Sequence, residues 1–440
     1  MTRVPTRVTT TGGREATTRH IPPKLALAVG MPAMAPAAGW RWSPLTSIAR
    51  LESGHTPSRK HPEYWGGSVP WISIQDARDF HGRRIESTLE NTNKAGIANS
   101  SARILPKNTV CLSRTASVGY VVVMGRPMAT SQDFVNWVCT DQLNPDFLKY
   151  VFIAEGADLL RFASGSVHQT IYFPAAKAFH ICHPSAAEQR RIVATLDEAF
   201  ERIATAKANA ERNLQNALSL FESQVESVFT QRGPGYAERK LSEICAITSM
   251  LVDPREPPFL DLIHVGAGNI ESKTGELVEL KTAKEEKLIS GKFPFDESMV
   301  LYSKIRPYLM KVARPNFAGL CSADMYPLAP LKNAITRGYL FHLLLSKRFT
   351  DYAIEGSARA GMPKVNREHL FEFRAWLPSL NIQKKQSATL DALQKATRLL
   401  AKIYERKVAA LEALKKSILD RAFSGELTAE KGSDRVEAAA

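Results

Sequence analysis

The amino-acid sequence predicts an α+β protein in which two tandem α+β globules are separated by two long helices that form an antiparallel coiled coil with pseudo-two-fold symmetry. Three observations lead to this prediction. The chain repeats itself, each copy opens with short apolar runs between turns rich in Gly and Pro, and each copy closes with a long segment that contains neither Gly nor Pro.

The repeat aligns residues 45–231 with residues 241–425, and its matches keep the same order in both copies. The matches are Ser131–Asp133 with Ser322–Asp324, Gln189 with Gln383, Ala194–Asp197 with the identical Ala388–Asp391, and Phe229 with Phe423. Chance could produce any one of them, but their collinear order indicates the duplication of an ancestral unit.

The first part of each copy is predicted to be a mixed globule. Runs of β-branched and aromatic residues at 71–74, 121–124, 262–265 and 299–302 predict strands, whereas 145–163 and 334–355 predict helices. The predicted divisions are a disordered or over-extended start (1–38), a first globule (39–184), a central long helix (185–232), a second globule (233–378), a C-terminal long helix (379–424) and a tail (425–440).

Each long helix is predicted to follow a proline and to end at a glycine, and its apolar residues recur at alternating steps of three and four. The predicted contact face comprises Val193, Leu196, Phe200, Ile203, Lys207, Ala210, Leu214, Ala217 and Phe221, and then Leu390, Leu393, Thr397, Leu400, Tyr404, Lys407, Leu411, Leu414 and Ile418. Such a stripe needs a partner, which is either the other copy's helix or a separate protein.

The composition favours a partner that carries negative charge. There are 58 Lys and Arg residues against 44 Asp and Glu, which gives a net charge of +14, and the most common partner of such a chain is nucleic acid. The five cysteines lie far apart, which argues against a disulfide scaffold or a zinc ribbon and predicts a cytoplasmic protein. No apolar run is long enough to cross a membrane.

Four short strings imitate catalytic or metal-binding motifs: Gly356–Gly361, Asn144–Phe147, His180–His183, and Asp261 with Glu271 and Lys273. The first has the glycine spacing of a phosphate loop but lacks its lysine. The second departs from the Asn-Pro-Pro-Phe loop that grips an adenine amino group, because Asp146 replaces a proline. The spacing of the carboxylate–lysine set is common by accident. The His180–His183 set lacks a fourth ligand, and its counterparts in the second copy cannot ligate, so we expect neither a catalytic residue nor a metal site.

Cations and small polar residues cluster in the predicted loops of both globules. Arg and Lys can hold phosphates or the guanine edge, and Gln can pair with adenine. Ordinary surface loops contain the same residue types, which is the competing interpretation. The candidate DNA-binding residues are Arg59, Lys60, Ser113, Arg114, Thr115, His168 and Gln169 in the first copy, and Lys304, Arg306, Arg314, Arg359 and Lys364 in the second.

The layout resembles the specificity (S) subunit of type I restriction–modification systems, and particular strings are similar too. Gly39–Leu45 and Ser53–Pro57 resemble that family's opening, Pro184–Val193 resembles the start of its central helix, and Leu414–Leu427 resembles its C-terminal signature. The resemblance covers residues 39–428. The second copy departs from it at Asn381–Lys385, which stands where the first copy has Glu188–Arg191.

The resemblance implies a DNA-reading subunit without its own active site. Each globule would be a target-recognition domain that reads one half of a bipartite site on double-stranded DNA, with the helices setting the spacing. Two adenine methyltransferase (modification) subunits with S-adenosylmethionine would dock on the helices, and restriction subunits would add ATP- and Mg-dependent translocation and cleavage. This chain itself would bind no cofactor.

Two other functions stay open at this point. The chain could be a fused DNA methyltransferase or nuclease, which would require one of the imitated motifs to be genuine. It could also be a coiled-coil scaffold that binds only protein, which the long apolar stripes alone would permit.

Overall fold

The computed structural model describes residues 36–115, 117–165, 169–357 and 363–427. Most of the expected N-terminal extension and most of the expected tail therefore lie outside the described residues. The strands are β1 (Arg41–Pro44), β2 (Ala49–Ser53), β3 (Trp65–Ile72), β4 (Arg84–Ile85), β5 (Glu90–Thr92), β6 (Val110–Ser113), β7 (Val121–Met124), β8 (Ala129–Thr130), β9 (Phe134–Cys139), β10 (His180–His183), β11 (Ala237–Lys240), β12 (Cys245–Ala246), β13 (Ile263–Val265), β14 (Lys281–Thr282), β15 (Lys292–Phe295), β16 (Val300–Ser303), β17 (Val312–Ala313), β18 (Gly319–Ser322), β19 (Met325–Pro330) and β20 (Arg374–Leu377).

The helices are α1 (Leu45–Ile48), α2 (Ile74–Asp79), α3 (Lys94–Ala98), α4 (Pro145–Glu155), α5 (Phe173–Lys177), α6 (Ala186–Thr230), α7 (Arg337–Leu344), α8 (Lys347–Glu355), α9 (Arg367–Glu372) and α10 (Leu380–Phe423). Both predicted long helices are present, and each begins and ends within two residues of the predicted limits. In the part of the chain that the structure describes, no helix is both long and apolar enough to cross a membrane.

The chain divides into two compact units whose limits fall inside the long helices. The first unit runs to Lys207 and resumes at Ala409, and the second comprises Ala208–Val408. Each unit therefore contains one globule and about half of α6, while the first unit holds about a third of α10 and the second about two-thirds. The predicted boundaries between recognition domains and helices stay a prediction.

The first unit contains a five-stranded sheet in the order β2-β9-β6-β7-β4 and a three-stranded sheet in the order β5-β3-β8. Strand β3 pairs with β8 in parallel and with β5 in antiparallel orientation, and β1 pairs with β10. The main core packs α4 and the apolar faces of both long helices against the larger sheet, since Leu196 of α6 and Leu419 and Ala422 of α10 belong to it.

The second unit contains two four-stranded sheets in the orders β12-β19-β16-β17 and β14-β13-β18-β15. As in the first unit, a parallel pair is present (β13 with β18), and the globule's first strand, β11, pairs with the strand that leads into the long helix, β20. Val225 and Phe229 of α6 and Leu390 of α10 belong to its core.

The two long helices run antiparallel within each unit. In the first unit, Lys207 forms an ion pair with Glu412 at 2.5 Å, and Leu196 shares a core with Leu419. In the second unit, Gln386 donates to Gln231 at 3.2 Å, and Leu390 shares a core with Val225. Within each unit, moving towards the C-terminus of α6 therefore leads to contacts nearer the N-terminus of α10, as expected for antiparallel helices.

The contact face of α10 differs from the predicted one. Leu400 and Leu414 are 43% and 47% exposed, and Lys407 is exposed as well, whereas the neighbouring Ala401 and Val408 are half-buried. The predicted alternation of three- and four-residue steps is present in α10. Every second contact position, however, lies one residue further along the chain than predicted. Ala401 and Val408 lie on the contact row, and Leu400 and Leu414 are left facing outwards.

Candidate nucleic-acid interface

In the first globule, three predicted loops meet around the segment that follows β8. The backbone of His55 donates to the carbonyl of Thr130 at 2.9 Å, and Arg114 Nε donates to the carbonyl of Gln132 at 3.0 Å. The Ile171 amide in turn donates to the carbonyl of Arg114 at 2.8 Å. The segments around residues 55, 114 and 171 therefore form one surface at the end of the sheet.

Arg114 is the central cation of this surface. Its backbone N–H donates to the carbonyl of Asp133 at 2.7 Å, and its guanidinium lies 5.7 Å from the ring centre of Phe173. Burial lowers the pKa of Arg114, while the nearby Asp133 carboxylate opposes that effect. A guanidinium held in this way keeps a fixed direction, which a freely rotating surface arginine does not.

The side chains around Arg114 differ in exposure. Ser113 is fully buried, and its hydroxyl accepts from the Tyr120 amide at 2.8 Å and donates to the carbonyl of Ser117 at 2.5 Å. Thr115 is half-buried and shares a 2.8 Å hydrogen bond with Thr170. The expected DNA contact does not fit Ser113, because its position assigns it to shaping the loop from inside.

Arg59 and Lys60 lie on the neighbouring loop. The Arg59 guanidinium makes two hydrogen bonds to Glu90, at 2.8 and 2.5 Å, and stacks 3.8 Å from the centre of the Trp65 ring. The hydrogen bond with Glu90 raises the pKa of Arg59. Lys60 is exposed. Arg59 is therefore oriented by its neighbours, and Lys60 projects from the surface.

In the second globule, Lys304 follows β16 as Arg114 follows β6. Its backbone N–H donates to the carbonyl of Asp324 at 3.0 Å, and its carbonyl accepts from the Val365 amide at 2.8 Å. Its ammonium group donates to the carbonyl of Ala323 and lies 5.3 Å from the centre of the Tyr326 ring. Burial lowers the pKa of Lys304, and the neighbouring positive charge of Lys364 lowers it further.

Arg114 and Lys304 thus occupy the same position in the two copies. Each follows a buried serine at a strand end, donates its backbone N–H to an aspartate carbonyl, and accepts a backbone bond from a later loop. Each also directs its side-chain cation to the carbonyl of the residue before that aspartate. The two copies therefore preserve a half-buried cation beside an acidic residue.

Three further cations lie near Lys304. Lys364 lies 3.7 Å from the Asp324 carboxylate, and its neighbour Pro363 accepts a hydrogen bond from the Arg306 amide at 2.9 Å. Arg306 is exposed and adopts a left-handed conformation with φ of 48°, which is uncommon for a residue with a side chain. Arg367 is close enough that its charge contributes to lowering the pKa of Lys304. Lys304, Lys364 and Arg367 form a cationic cluster at the Asp324 carboxylate, and the backbone of Arg306 joins the same loop.

Other expected residues lie elsewhere. Arg314 makes a two-point ion pair with Asp391 of α10, at 2.6 and 3.2 Å, so its position assigns it to anchoring the globule on the long helix. Gln169 is exposed beside the Ser164–Thr170 bridge. His168 and Arg359 lie outside the described residues.

Sequence reasoning had used several important residues only as markers of the repeat. Asp133 and Asp324 complete the two cation sites, and Gln189, Gln383 and Asp391 connect the globules to the helices within each unit. Their exact recurrence in both copies was the available signal. Arg367 gave no signal, because nothing in the sequence shows that it lies beside Lys304.

The other motif-like strings have local contacts. Lys273 pairs with Glu222 at 2.7 Å, and His183 shares hydrogen bonds with Ser43 and the carbonyl of Pro184 at 3.0 Å. In the described ranges, no group of three or more His, Cys, Asp or Glu side chains is arranged to hold a metal ion.

Comparisons with known proteins find curated relatives for part of the chain. Two curated relatives are the specificity subunits of the type I restriction enzymes EcoDI from Escherichia coli, 35% identical over 191 residues (43% of this chain and 42% of that protein), and MjaIX from Methanocaldococcus jannaschii, 30% identical over 186 residues (42% and 43%). The chain thus matches under half the length of each of these relatives.

Solved structures show the same fold. A chain from a study of complex assembly and conformational transition of the type I R-M system has a TM-score of 0.69 and 18% identity, covering 90% of this chain and 100% of that one. The HsdS subunit from Thermoanaerobacter tengcongensis has a TM-score of 0.56 and 19% identity, covering 90% and 99%.

The family model of the type I restriction modification DNA specificity domain matches residues 38–213 and again residues 235–406. These two matches coincide with the two copies of the internal repeat. The chain therefore belongs to the type I restriction modification DNA specificity family and carries two copies of its domain.

Proposed function

We propose that this chain is the DNA sequence-specificity subunit of a type I restriction–modification complex and that each globule reads one half of a bipartite site on double-stranded DNA. The observation that carries the proposal is the recurrence of a half-buried, aspartate-flanked cation, Arg114 and Lys304, at the same strand end of both globules. The two globules share an ancestor but carry different loops, which suits a site whose two halves differ in sequence.

The residues of each surface have different roles in this proposal. Exposed cations such as Lys60, Arg306 and Lys364 hold phosphates and set the orientation of the globule. Phosphate contacts carry no sequence information. Arg114 and Lys304 are fixed by neighbouring carbonyls, and a cation of fixed direction can select the O6 and N7 edge of guanine. Arg59, Thr115 and Gln169 extend the first surface, while His168 and Arg359, which lie outside the described residues, stay candidates from the sequence alone.

The long helices have two roles in this proposal. They set the unread spacer between the half-sites, because half-site spacing follows the geometry of the protein. They also dock two adenine methyltransferase subunits through apolar residues that face outwards. These residues are 41% to 63% exposed and include Leu218, Leu220, Leu399, Leu400, Ile403 and Leu414. Such residues on a helix surface suit a protein partner.

Catalysis belongs to the partners in this proposal. The methyltransferase subunits bring S-adenosylmethionine, and restriction subunits bring ATP and Mg for translocation and cleavage, so this chain acts as a non-catalytic, cytoplasmic reader. A fused methyltransferase or nuclease would act without partners, and a protein-only scaffold would leave the methylated motif unchanged when its loop cations are removed. Both outcomes are distinguishable in the experiment below.

The test is a methylated-site map of a host that expresses the complex with variants of this chain. Arg114→Ala is expected to make one half of the site degenerate, and Lys304→Ala the other, each by about 1–3 kcal/mol of lost base discrimination. The matched controls Arg126→Ala and Lys332→Ala remove exposed cations outside the two clusters and should leave the motif unchanged.

Exchanging residues 45–184 for another family member's globule should change the same half as Arg114→Ala and no other. The proposal is wrong if either alanine variant alters both halves, if neither alters the motif, or if the purified chain methylates or cleaves DNA without partners.

A further inference from the structure

The second globule exposes three large apolar side chains at loop tips. Met250 is 81% exposed, Leu251 is 55% exposed and Ile289 is 79% exposed. A folded chain gains nothing from presenting adjacent apolar groups to water, and clustered exposure of this kind marks a binding surface more often than a lone exposed leucine does.

These tips lie at the same end of the sheet as the cationic cluster around Lys304. Val252 pairs with Lys292 through two backbone hydrogen bonds of 2.9 and 3.0 Å, and Lys292 lies opposite Ser322 in the β15–β18 register. Asp324, which flanks Lys304, is two residues beyond Ser322. The tips at 250–251 and 289 are therefore the flank of the proposed DNA surface.

The Ile289 tip is held rigidly. Lys292 is 5% exposed, and its ammonium donates to both the carbonyl and the hydroxyl of Ser290 at 2.7 Å. This contact closes the turn immediately after Ile289 and leaves the apolar side chain outside. A preorganised apolar tip loses little conformational entropy when it is buried by a partner.

The first globule has an apolar tip in a related place. Leu89 is 69% exposed, and its backbone is fixed by a 2.8 Å hydrogen bond to the Asp76 carboxylate. The next residue, Glu90, lies opposite Trp71 on β3 and holds Arg59. An exposed apolar tip thus accompanies the candidate cations in both globules, although the chain segments that supply it differ.

We propose that these tips are apolar wedges that insert at base steps of double-stranded DNA beside the cation-held phosphates. This inference rests on the proposed function. Nucleic acid suits the surface because one partner offers both phosphates for the cations and the apolar faces of bases, and side chains of Leu, Ile and Met are those that unstack base steps and kink the duplex. Inserting a wedge deforms the DNA at the contacted base step, so the protein also selects sequences whose steps deform easily.

The test uses the full-length chain and a random-sequence duplex pool enriched by capture on that chain. The variant Met250→Ser/Leu251→Ser/Ile289→Ser should bind the enriched duplexes about tenfold more weakly, since apolar burial is lost. The slope of log affinity against log salt should not change, because no phosphate contact is removed. When wild-type protein binds, the fluorescence of 2-aminopurine placed at one base step of the duplex should increase. The triple variant should show no such increase.

Leu331→Ser is the matched control, since Leu331 is 38% exposed and follows β19 at the end away from Lys304; it should bind and brighten as wild type does. All these positions are exposed, and thermal melting checks the fold. If the triple variant equals wild type while Lys304→Ala/Lys364→Ala binds weakly, the wedge is refuted and the proposed function stands. If the chain enriches no duplex at all, both fall.

Discussion

Gln189 and Gln383 make the same three contacts in the two units. Gln189 Oε1 accepts from the Asn144 amide at 2.8 Å, and its Nε2 donates to the carbonyls of Gln142 and Pro184 at 3.0 Å. Gln383 repeats the pattern with the Thr336 amide and two carbonyls. Each glutamine therefore connects the start of a long helix to the loop that precedes α4 or α7.

We expect Gln383→Ala to lower the free energy of unfolding by about 2–3 kcal/mol, because a buried amide and two carbonyls lose their partner. Gln189→Ala should have a similar effect in the first unit. Urea denaturation measures both, with Gln215→Ala as the control, since Gln215 is exposed on α6. Effects no larger than the control's would show that these bonds are not important for stability.

Asp391 is the second residue-scale connection between globule and helix. It accepts from His342 Nε2 at 2.7 Å and pairs with Arg314. Burial alone raises the pKa of Asp391, but hydrogen bonds from His342 and Arg314 outweigh it and bring the pKa to about 2. The matching aspartate of the first copy, Asp197, accepts from Tyr150 instead.

The pKa of Asp391 is depressed in the folded state, so its ionisation stabilises the fold above about pH 4 and ceases to do so as the pH falls towards 2. Asp391→Asn should cost about 1 kcal/mol at pH 7, allowing for solvent screening of a half-exposed carboxylate. Urea midpoints at successive pH values should converge in acid. Glu405→Gln, an exposed change on α10, is the control; a gap that stays at its full pH 7 size at pH 2 and below would contradict the assignment.

The residue scale also limits what sequence can predict. The loops that carry Arg114 and Lys304 were predicted, because cations directly follow apolar strands. The role of Arg314 was not, since its partner Asp391 lies 77 residues further along the chain and only tertiary packing brings the two together. Ser113 was chosen for its neighbours, but it is the last residue of β6, a strand that is buried along its whole length.

At the element scale, the long helices were the most predictable features. A segment without Gly or Pro that starts after one proline and ends before one glycine leaves little choice of limits, and α6 and α10 agree within two residues. The strand predicted at 71–74 was only half right: β3 ends at Ile72, because Ser73 caps α2 through hydrogen bonds with Asp76. Local capping overrode an apolar run there.

The contact face of α10 could not be fixed from periodicity alone. A three-four alternation can begin on either of two adjacent rows, and packing decides which of the two faces the antiparallel helix. The consequence is an exposed row that includes Leu399, Leu400 and Ile403, at 63%, 43% and 47% exposure. Duplication explains why the row exists, but only packing shows which row is left outside.

We expect Leu399→Gln/Ile403→Gln to weaken binding of the methyltransferase subunit about tenfold while leaving the fold intact, because both side chains lie outside the helix contact. Co-purification and titration calorimetry with that subunit measure the effect. Lys402→Ala, an exposed change between the two positions, should bind normally. Equal binding by the double variant would place the docking surface elsewhere.

At the scale of the whole molecule, the duplication makes each half stable by the same means. Phe423 packs against Phe147 of α4 with ring centres 5.4 Å apart, and Phe229 packs against Tyr339 of α7 at 4.9 Å. In each unit, the C-terminal end of one copy's helix therefore completes the core of the other copy's globule. Neither copy alone has every residue of a complete unit, so we infer that the tandem repeat folds as a pair.

The proposed spacing role of the helices leads to a prediction about the entire chain. Deleting seven residues from α6 around Lys207 and seven from α10 around Val408 shortens each helix by about 10 Å, or roughly three base pairs of duplex. Both cores keep their residues, so both globules should still read their half-sites. A methylated-site map should therefore show unchanged half-sites with a shorter spacer. It should show no methylation if the changed rotation between the half-sites prevents both globules from binding at once.

Deletion from α6 alone is the control, because it shifts one helix along the other and should destabilise the fold. An unchanged spacer with two intact half-sites would mean that the helices do not set the distance, and flexible attachment of the recognition loops would then have to explain a bipartite site.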